Sequence, residues 1–348
     1  QNINVATEYL PKNFLIKQGI FKFNQDKMNF NTFLASYGES DFKMNGYFQN
    51  VFNFIASKNG VLRGSFSFNS NYINVDEFMS NTISNTSVLV DEKSSNAKPV
   101  AITKGVIVIP SNLDLYLQAN AQKVDFNGLK LKGAKGTLKI KNSSLSMQNT
   151  GFELIGCNVT MDANYNSVTP KRAIFDYHIK ATEFDIKKAY NEVKLFREMA
   201  SAAEKAQGII SLDYNLKGRL NENMEPVFPS LVGNGIVSVK NIKFYGMKMF
   251  SAVASKTNSD GIKNPEINKI DIRSSIKNNI ITLERFRFKF AGFRPRIEGT
   301  TSLDGRLNLK MRLGLPPLGI IGVPLLITGN KDNPKVKIFA LIIFILLF

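Results

Sequence analysis

The stretch LKIKNSSLSMQNTGFELIGCNVTMDANY, residues 138–165, determines the fold class of this chain. Leu138 and Ile140 alternate with lysines before an Asn-Ser-Ser sequence, and Leu145 and Met147 alternate with polar residues after it. Alternation with a period of two is typical of a β-strand that has one apolar face and one wetted face. The Asn-Ser-Ser sequence between the two runs predicts a hairpin turn. The stretch therefore predicts antiparallel sheet with one side open to water.

The same block occurs a second time, as SSIKNNIITLERFRFKFAGFRPRIEGTT at residues 274–301. Matching residues, such as those at 140 and 276 or at 156 and 292, are separated by 136 residues throughout. A looser third copy begins at Phe21. Because a meander of this size cannot close its own core, the repeat predicts stacked units and an elongated molecule.

Further alternating runs predict strands at 42–48, 113–119, 210–216 and 307–313. One long helical pattern covers about 186–207, with Asp185 as its N-cap and Gly208 as the residue after its end. Shorter patterns predict a helix at 250–256 and one helical turn at 75–79.

The composition limits the class of partner. The chain has 348 residues, a formal net charge of +17, 27 Phe and no Trp. The charge favours polyanions, either nucleic acid or anionic lipid headgroups. Because the sequence starts with Gln, we expect it to be a processed product or a fragment, with any membrane anchor upstream.

No motif in the sequence supports catalysis, a cofactor or a metal. The single histidine, His178, has no second histidine to help it hold a metal, and Cys157 is not in a metal-binding spacing. We predict an ordinary surface role for His178 and a small buried or half-buried role for Cys157. The Gly233–Gly235 pair of glycines precedes a strand-like run, whereas a dinucleotide loop precedes a helix.

The run from Arg285 to Phe290 alternates cations with phenylalanines, which could pair phosphates and stack bases. The favoured interpretation is a strand with phenylalanines on its apolar face and cations on its wetted face. Nucleic-acid binding therefore stays an alternative, and a transmembrane β-barrel is a second one.

Five blocks in this order resemble the AsmA-like C-terminal region of Gram-negative envelope proteins, in its Bacteroidetes form. They lie at 109–156, 175–193, 208–239, 297–317 and 323–338. The resemblance covers about 100–338, and residues 1–80 resemble the preceding β segment. It predicts an N-terminal β segment at 1–80, a linker or mobile loop at 81–99, a C-terminal β domain at 100–338 and an apolar tail at 339–348.

The resemblance implies membership of the bridge-like lipid-transfer group. The expected fold is mainly β, an elongated, curved antiparallel sheet of repeated meanders that forms an apolar groove or gutter, with one or two amphipathic helices. The expected protein is non-enzymatic, faces the periplasm, is anchored in the inner membrane and supports phospholipid transport to the outer membrane. Its expected partners are phospholipid acyl chains, the inner membrane and outer-membrane proteins, with no cofactor.

Acyl chains suit an apolar lining because each buried CH₂ contributes about 0.8 kcal/mol. The alternative for each lining residue is ordinary packing between two sheets. The predicted lining residues are Phe21, Phe23, Phe42, Met44, Phe66, Phe68, Leu113, Leu115, Leu117, Ile210, Leu212, Leu307 and Leu309.

Overall fold

A computed structural model describes residues 2–6, 11–82 and 103–338. The fold is mainly β, with one long, open sheet that is predominantly antiparallel and with few helices, which confirms the predicted fold class. Eighteen of the twenty strands in the described residues belong to this sheet, and β6 and β7 pair separately.

The first ten strands are β1 (Ile3–Val5), β2 (Phe14–Asn24), β3 (Lys27–Tyr37), β4 (Ser40–Gln49), β5 (Leu62–Asn74), β6 (Met79–Thr82), β7 (Thr103–Ile107), β8 (Leu113–Phe126), β9 (Leu129–Lys141) and β10 (Ser144–Leu154). The other ten are β11 (Cys157–Thr169), β12 (Arg172–Asp185), β13 (Ala206–Leu220), β14 (Val232–Phe244), β15 (Glu266–Lys277), β16 (Ile280–Arg287), β17 (Arg294–Ser302), β18 (Arg306–Gly314), β19 (Gly322–Asn330) and β20 (Asn333–Ile338). The α-helices are α1 (Val51–Ala56), α2 (Ile186–Glu192), α3 (Lys194–Met199) and α4 (Lys248–Thr257). Short 3₁₀ helices cover Val75–Phe78, Ser201–Lys205, Phe228–Ser230 and Asp260–Ile262.

The chain divides into two compact units. Unit 1 consists of Gln1–Leu154, Thr160–Tyr177 and Gly218–Val227, and unit 2 consists of Ile155–Val159, His178–Lys217 and Phe228–Phe348. The domain boundaries expected from the resemblance stay a prediction. Residues 83–99 of the predicted linker and the tail at 339–348 lie outside the described residues, and Asn81 and Thr82 end strand β6.

In unit 1, strands β1 to β5 pair antiparallel in chain order. Strand β5 then pairs with β8 in parallel, from Leu62 opposite Leu113 to Asn74 opposite Asp125. Antiparallel order resumes through β8, β9 and β10. The parallel pair was not predicted from the sequence, which favoured an antiparallel meander.

In unit 2, strands β13 to β20 form an antiparallel meander in chain order. Helix α4, predicted at 250–256, packs on β20 and buries Phe250, Val253 and Ala254. The phenyl rings of Phe244 and Phe250 lie 5.6 Å apart.

The two copies of the block that repeats at an offset of 136 residues have matching hairpin turns. Asn142 and Asn278 have φ of 51° and 52°, and each is followed by another residue with positive φ. Asparagine tolerates this left-handed conformation, which the tight hairpin turn requires. Gly156 and Gly292 also match, with φ of 85° and 82°. The repeat is therefore a repeat of backbone conformation as well as of sequence.

The prediction of one helix over 186–207 was wrong. Helix α2 ends at Glu192 and α3 ends at Met199, and the backbone leaves the helical region at the C-cap residues Val193 and Ala200. Arg197 spans the first break, because its Nη1 donates hydrogen bonds to the carbonyl oxygens of Tyr190 and Asn191, each at 3.0 Å. Gly208 lies within strand β13 and does not end a helix.

Two smaller predictions were confirmed. Asp185 caps α2, since its Oδ1 accepts a hydrogen bond from the Lys188 N–H at 2.9 Å. The helical turn at 75–79 is the 3₁₀ helix Val75–Phe78.

Candidate functional site

The main candidate site is an apolar face on seven consecutive strands of unit 1. Cross-strand neighbours align in three successive rows, which we call the phenylalanine face. The first row is Phe23, Met28, Phe48, Gly64, Leu115, Ile140 and Leu145; the second is Phe21, Phe30, Gly46, Phe66, Leu117, Leu138 and Met147; the third is Gly19, Phe33, Met44, Phe68, Ala119 and Gly136.

The opposite face of these strands has the reverse character. The row between the first two runs through Lys22, Asn29, Tyr47, Ser65, Tyr116, Lys139 and Ser146. Because side chains alternate between the two faces of a sheet, one face is apolar in three successive rows and the other is polar. The cross-strand register therefore keeps the apolar residues of all seven strands in line.

Rings on strands two apart converge on the phenylalanine face. Phe14 on β2 and Phe42 on β4 have ring centroids 5.7 Å apart, and Phe30 on β3 and Phe66 on β5 are 6.1 Å apart. Strands two apart are separated by roughly 9.5 Å. The rings lean together above Ala35 in the first case and above Gly46 in the second. The side chains of the face therefore pack on one another across the strand between them.

One end of the face is closed by the 3₁₀ helix Val75–Phe78. The rings of Tyr37 and Phe78 stack with centroids 4.7 Å apart, and Phe78 also meets Phe42 edge-on. The Tyr37 hydroxyl donates a hydrogen bond to the Glu77 carbonyl and accepts one from the Lys12 N–H, both at 3.1 Å. Burial raises the pKa of Tyr37.

The Glu77 carboxylate joins the same helix to the turn between β3 and β4. It accepts hydrogen bonds from the Lys12 ammonium at 2.7 Å, from the Glu39 N–H at 3.1 Å and from the Ser40 hydroxyl at 3.1 Å. Burial alone would raise the pKa of Glu77, but these hydrogen bonds together outweigh it and hold the pKa below its ordinary value. The closed end is thus fixed by charge as well as by packing.

The other end of the face is open. Phe23 is 56% exposed, and its ring lies 5.8 Å from that of Phe52 on α1, which is 60% exposed. Ile55, one helical turn further along α1, is 76% exposed. We call these three residues the mouth. The phenylalanine face therefore runs from a closed, hydrogen-bonded end to an apolar mouth.

Nine of the thirteen predicted lining residues belong to unit 1. Phe42, Met44, Phe66, Leu115 and Leu117 lie in one buried cluster, and Phe21, Phe68 and Leu113 pack against it half-buried. Phe23 is the exposed member, at the mouth. The face also includes residues that the predicted set omitted. Phe48, Leu138 and Ile140 follow the same alternation and could have been found, whereas no sequence signal places Phe78 over Tyr37.

The remaining four predicted residues lie in unit 2 and do not come together. Ile210 and Leu212 on β13 lie opposite Val239 and Val237 on β14. Leu307 and Leu309 lie on β18, five strands further along the meander. Ile210 and Leu309 are buried, and Leu212 and Leu307 are half-buried. Whether any of the thirteen contacts lipid stays a prediction.

His178 and Lys180 of unit 2 form surface ion pairs with Asp213. His178 Nε2 lies 2.6 Å from Asp213 Oδ1, and the Lys180 ammonium lies 3.1 Å from Asp213 Oδ2. The hydrogen bond with His178, followed by that with Lys180, lowers the pKa of Asp213. All three side chains are well exposed. Within the described ranges, no cluster of three or more His, Cys, Asp or Glu side chains could hold a metal ion.

The Arg/Phe strand does not present its rings to solvent. Phe288 and Phe290 are buried, so they cannot stack on bases in this conformation. Arg285 forms a bidentate pair with Glu298, with nitrogen–oxygen distances of 2.9 and 3.0 Å. The predicted alternation of burial was confirmed over residues 285–290, with the phenylalanines more buried than the cations. The strand itself is shorter than predicted, because β16 ends at Arg287.

Among the residues that the structure describes, none of the helices has both the length and the hydropathy to cross a bilayer.

Comparison with known proteins finds no matching family model, no similar curated protein and no similar solved structure. The resemblance to the AsmA-like family stays a prediction from the sequence.

Proposed function

We propose that this chain is a non-enzymatic envelope protein whose phenylalanine face binds phospholipid acyl chains on their way between membranes. The observation that carries the proposal is the cross-strand register of unit 1, which keeps one face apolar over seven strands. The face reaches solvent at the mouth, where Phe23, Phe52 and Ile55 are exposed, and an exposed apolar patch is typical of an interaction site for apolar ligands.

The dimensions of the face suit an acyl chain. Seven strands at the usual spacing span roughly 29 Å, which is long enough for an acyl chain, since one leaflet contributes only about half of the roughly 30 Å hydrocarbon core of a bilayer. Phe30, Phe66 and Leu117 are buried by their neighbours, so an acyl chain first meets the half-buried apolar side chains of the face, such as Phe48, Phe68 and Ile140. Each CH₂ that leaves water gains about 0.8 kcal/mol, wherever it lies along the row. The even lining therefore favours sliding over binding at one point.

The asymmetry between the two ends supports movement through the mouth. Tyr37, Phe78 and the Glu77 hydrogen bonds close one end of the face. Phe23, Phe52 and Ile55 leave the other end apolar and exposed, where a lipid tail can enter.

The cellular setting in the proposal rests on the resemblance alone. In that setting the chain faces the periplasm, is anchored in the inner membrane, and passes phospholipid toward the outer membrane and its proteins. The wetted face, with Lys22 and Lys139 among its residues, keeps the reverse of the sheet compatible with water.

Site-specific photo-crosslinking in cells tests the proposal. Phe68 and Ile140 point to the phenylalanine face and are half-buried, while their neighbours Ser67 and Lys139 point to the opposite face. A photo-reactive residue at 68 or 140 should capture phospholipid, identified by mass spectrometry, and one at 67 or 139 should not. Crosslinks to protein alone at 68 and 140, or equal lipid capture at all four positions, would contradict the proposal.

A charge variant gives an independent measurement. Ile140→Glu places a carboxylate in the first row of the face, and Lys139→Glu places the same group on the wetted side of the same strand. Because an ionised group in an apolar surface opposes acyl-chain binding, we expect Ile140→Glu to weaken binding of a fluorescent phospholipid roughly tenfold. Lys139→Glu should leave it within about twofold.

A further inference from the structure

An apolar loop in unit 2 stands out because its side chains face solvent. The loop between β18 and β19, residues 315–321, carries Leu318, Ile320 and Ile321. Their exposed fractions are 60%, 75% and 75%. Isolated exposed aliphatic residues are ordinary, but three on one loop form an apolar patch, which is typical of a surface that binds a partner.

The loop backbone is held in place by arginines. Arg312 donates hydrogen bonds from its guanidinium to the carbonyl oxygens of Gly319 and Ile320. The aliphatic stem of Arg294 lies directly beneath Gly319, where any Cβ would meet it. The loop closes on itself through the Leu315 N–H, which donates to the Ile321 carbonyl at 2.8 Å. The aliphatic side chains are therefore presented outward by a fixed backbone.

A row of arginines lies beside the loop. Arg287, Arg296 and Arg312 are direct cross-strand neighbours on β16, β17 and β18. Arg294 lies opposite Gly314, in the last row before the loop begins. Like charges in directly opposed positions destabilise a sheet unless an anion lies between them.

These arginines lack carboxylate partners. Arg287, Arg294 and Arg296 are exposed, and none of them forms an ion pair within the described part of the chain. Glu298, two residues along β17 from Arg296, is already paired with Arg285. These three guanidinium groups are therefore free to pair with an external anion.

We propose that the loop at 315–321 and the row of Arg287, Arg296 and Arg312, with Arg294, form a docking surface for an anionic phospholipid membrane. The arginines pair with headgroup phosphates, and Leu318, Ile320 and Ile321 enter the boundary between headgroups and acyl chains. A nucleic acid would use the arginines but would leave the aliphatic side chains in water, which is why a membrane fits better.

This surface shares no residue with the phenylalanine face, so either proposal can fail without the other. The absence of Trp from the sequence provides a local probe. Ile320→Trp introduces the only indole, at the tip of the loop. Ile280→Trp is the matched control, because Ile280 is 45% exposed at the opposite end of strand β16 from Arg287, where it pairs with Ser302.

The full chain is mixed with phosphatidylcholine vesicles that carry brominated acyl chains, with and without phosphatidylglycerol. We expect the indole at position 320 to shift to shorter wavelength and to be quenched by bromine only when phosphatidylglycerol is present. The indole at position 280 should be unaffected. Because the indole reports only on its own surroundings, vesicle binding through another part of the chain does not change the fluorescence at position 320.

The arginine contribution is measured in the Ile320→Trp chain. Arg287→Gln with Arg296→Gln should weaken vesicle binding about 25-fold, at about fivefold for each charge. Lys130→Gln with Lys135→Gln removes the same charge from exposed positions in unit 1 and should have little effect.

Two outcomes would overturn the proposal. One is bromine quenching of the indole at position 320 that is no stronger than quenching at position 280, or that is unchanged when Arg287 and Arg296 are replaced. The other is no quenching at all, with the same arginine pair governing binding to an oligonucleotide, which would make the surface a nucleic-acid site.

Discussion

Gly46 lies at the centre of the phenylalanine face, between Phe30 and Phe66. Its φ is +153°, and a Cβ there would overlap the Ser65 carbonyl oxygen and the backbone and Cβ of Phe66. The missing side chain leaves the space over which the rings of Phe30 and Phe66 approach each other. Glycine here serves both the backbone conformation and the packing of its neighbours.

We expect Gly46→Ala to lower the free energy of unfolding by about 3 kcal/mol, since backbone strain and overpacking add together. Urea denaturation followed by circular dichroism measures it. Gly128→Ala is the control: Gly128 has φ of +80° but nothing within 4 Å of its Cβ position. That variant should cost about 1 kcal/mol, the backbone part alone. Equal losses for the two variants would show that ring packing over Gly46 contributes nothing.

At the residue scale, the sequence predicted which way side chains point but not how deeply they are buried. Phe21 and Phe23 are two residues apart and have the same pattern around them, yet Phe23 is exposed at the mouth and Phe21 is half-buried. The difference arises because Phe23 lies in the end row of the face. The position of a residue within the sheet depends on how its strand pairs with other strands. The alternation within one strand carries no information about that pairing.

At the scale of elements, the strands were predicted better than the helices. Period-two alternation identifies a strand directly, because each residue reports its own face. The break between α2 and α3 has no glycine or proline to mark it. Arg197 satisfies the carbonyl oxygens of Tyr190 and Asn191 at the break, and only the folded geometry brings its guanidinium there.

The Glu77 attachment of the 3₁₀ helix Val75–Phe78 makes the stability of unit 1 depend on pH. The folded pKa of Glu77 lies below its ordinary value near 4.5. A lowered folded pKa stabilises the fold above the unfolded pKa, and the stabilisation is lost as pH falls through the folded value. We therefore expect Glu77→Gln to cost about 2 kcal/mol at neutral pH and progressively less below about pH 4.5.

Thermal or urea midpoints of the two proteins across this range measure the difference. Glu39→Gln is the control, because Glu39 is in the same turn but exposed, and it should follow the original chain at every pH. A constant gap between the original chain and Glu77→Gln down to pH 2 would show that the carboxylate charge is not what joins helix and turn.

At the scale of the whole molecule, the offset of 136 residues predicted two copies of one meander. The hairpin turns of the two copies have matching backbone conformations. The parallel pairing of β5 with β8 had no such signal. Pairing between distant segments depends on what fills the connection, here the 3₁₀ helix Val75–Phe78 and part of the β6–β7 ribbon. Neither strand's own sequence indicates which strand it pairs with.

That parallel pair also sets an order of assembly. The hairpins of unit 1 close over turns of a few residues, but β5 and β8 meet only after the chain from 75 to 112 has been brought round, at a loop-closure cost roughly 2–3 kcal/mol greater. In pulse-labelled hydrogen exchange during refolding, amides within the β3–β4 and β8–β9 hairpins should gain protection before those between β5 and β8. Until then Phe66 and Leu117 lie on two unpaired strand edges, so this is the interval in which the nascent chain is most open to self-association.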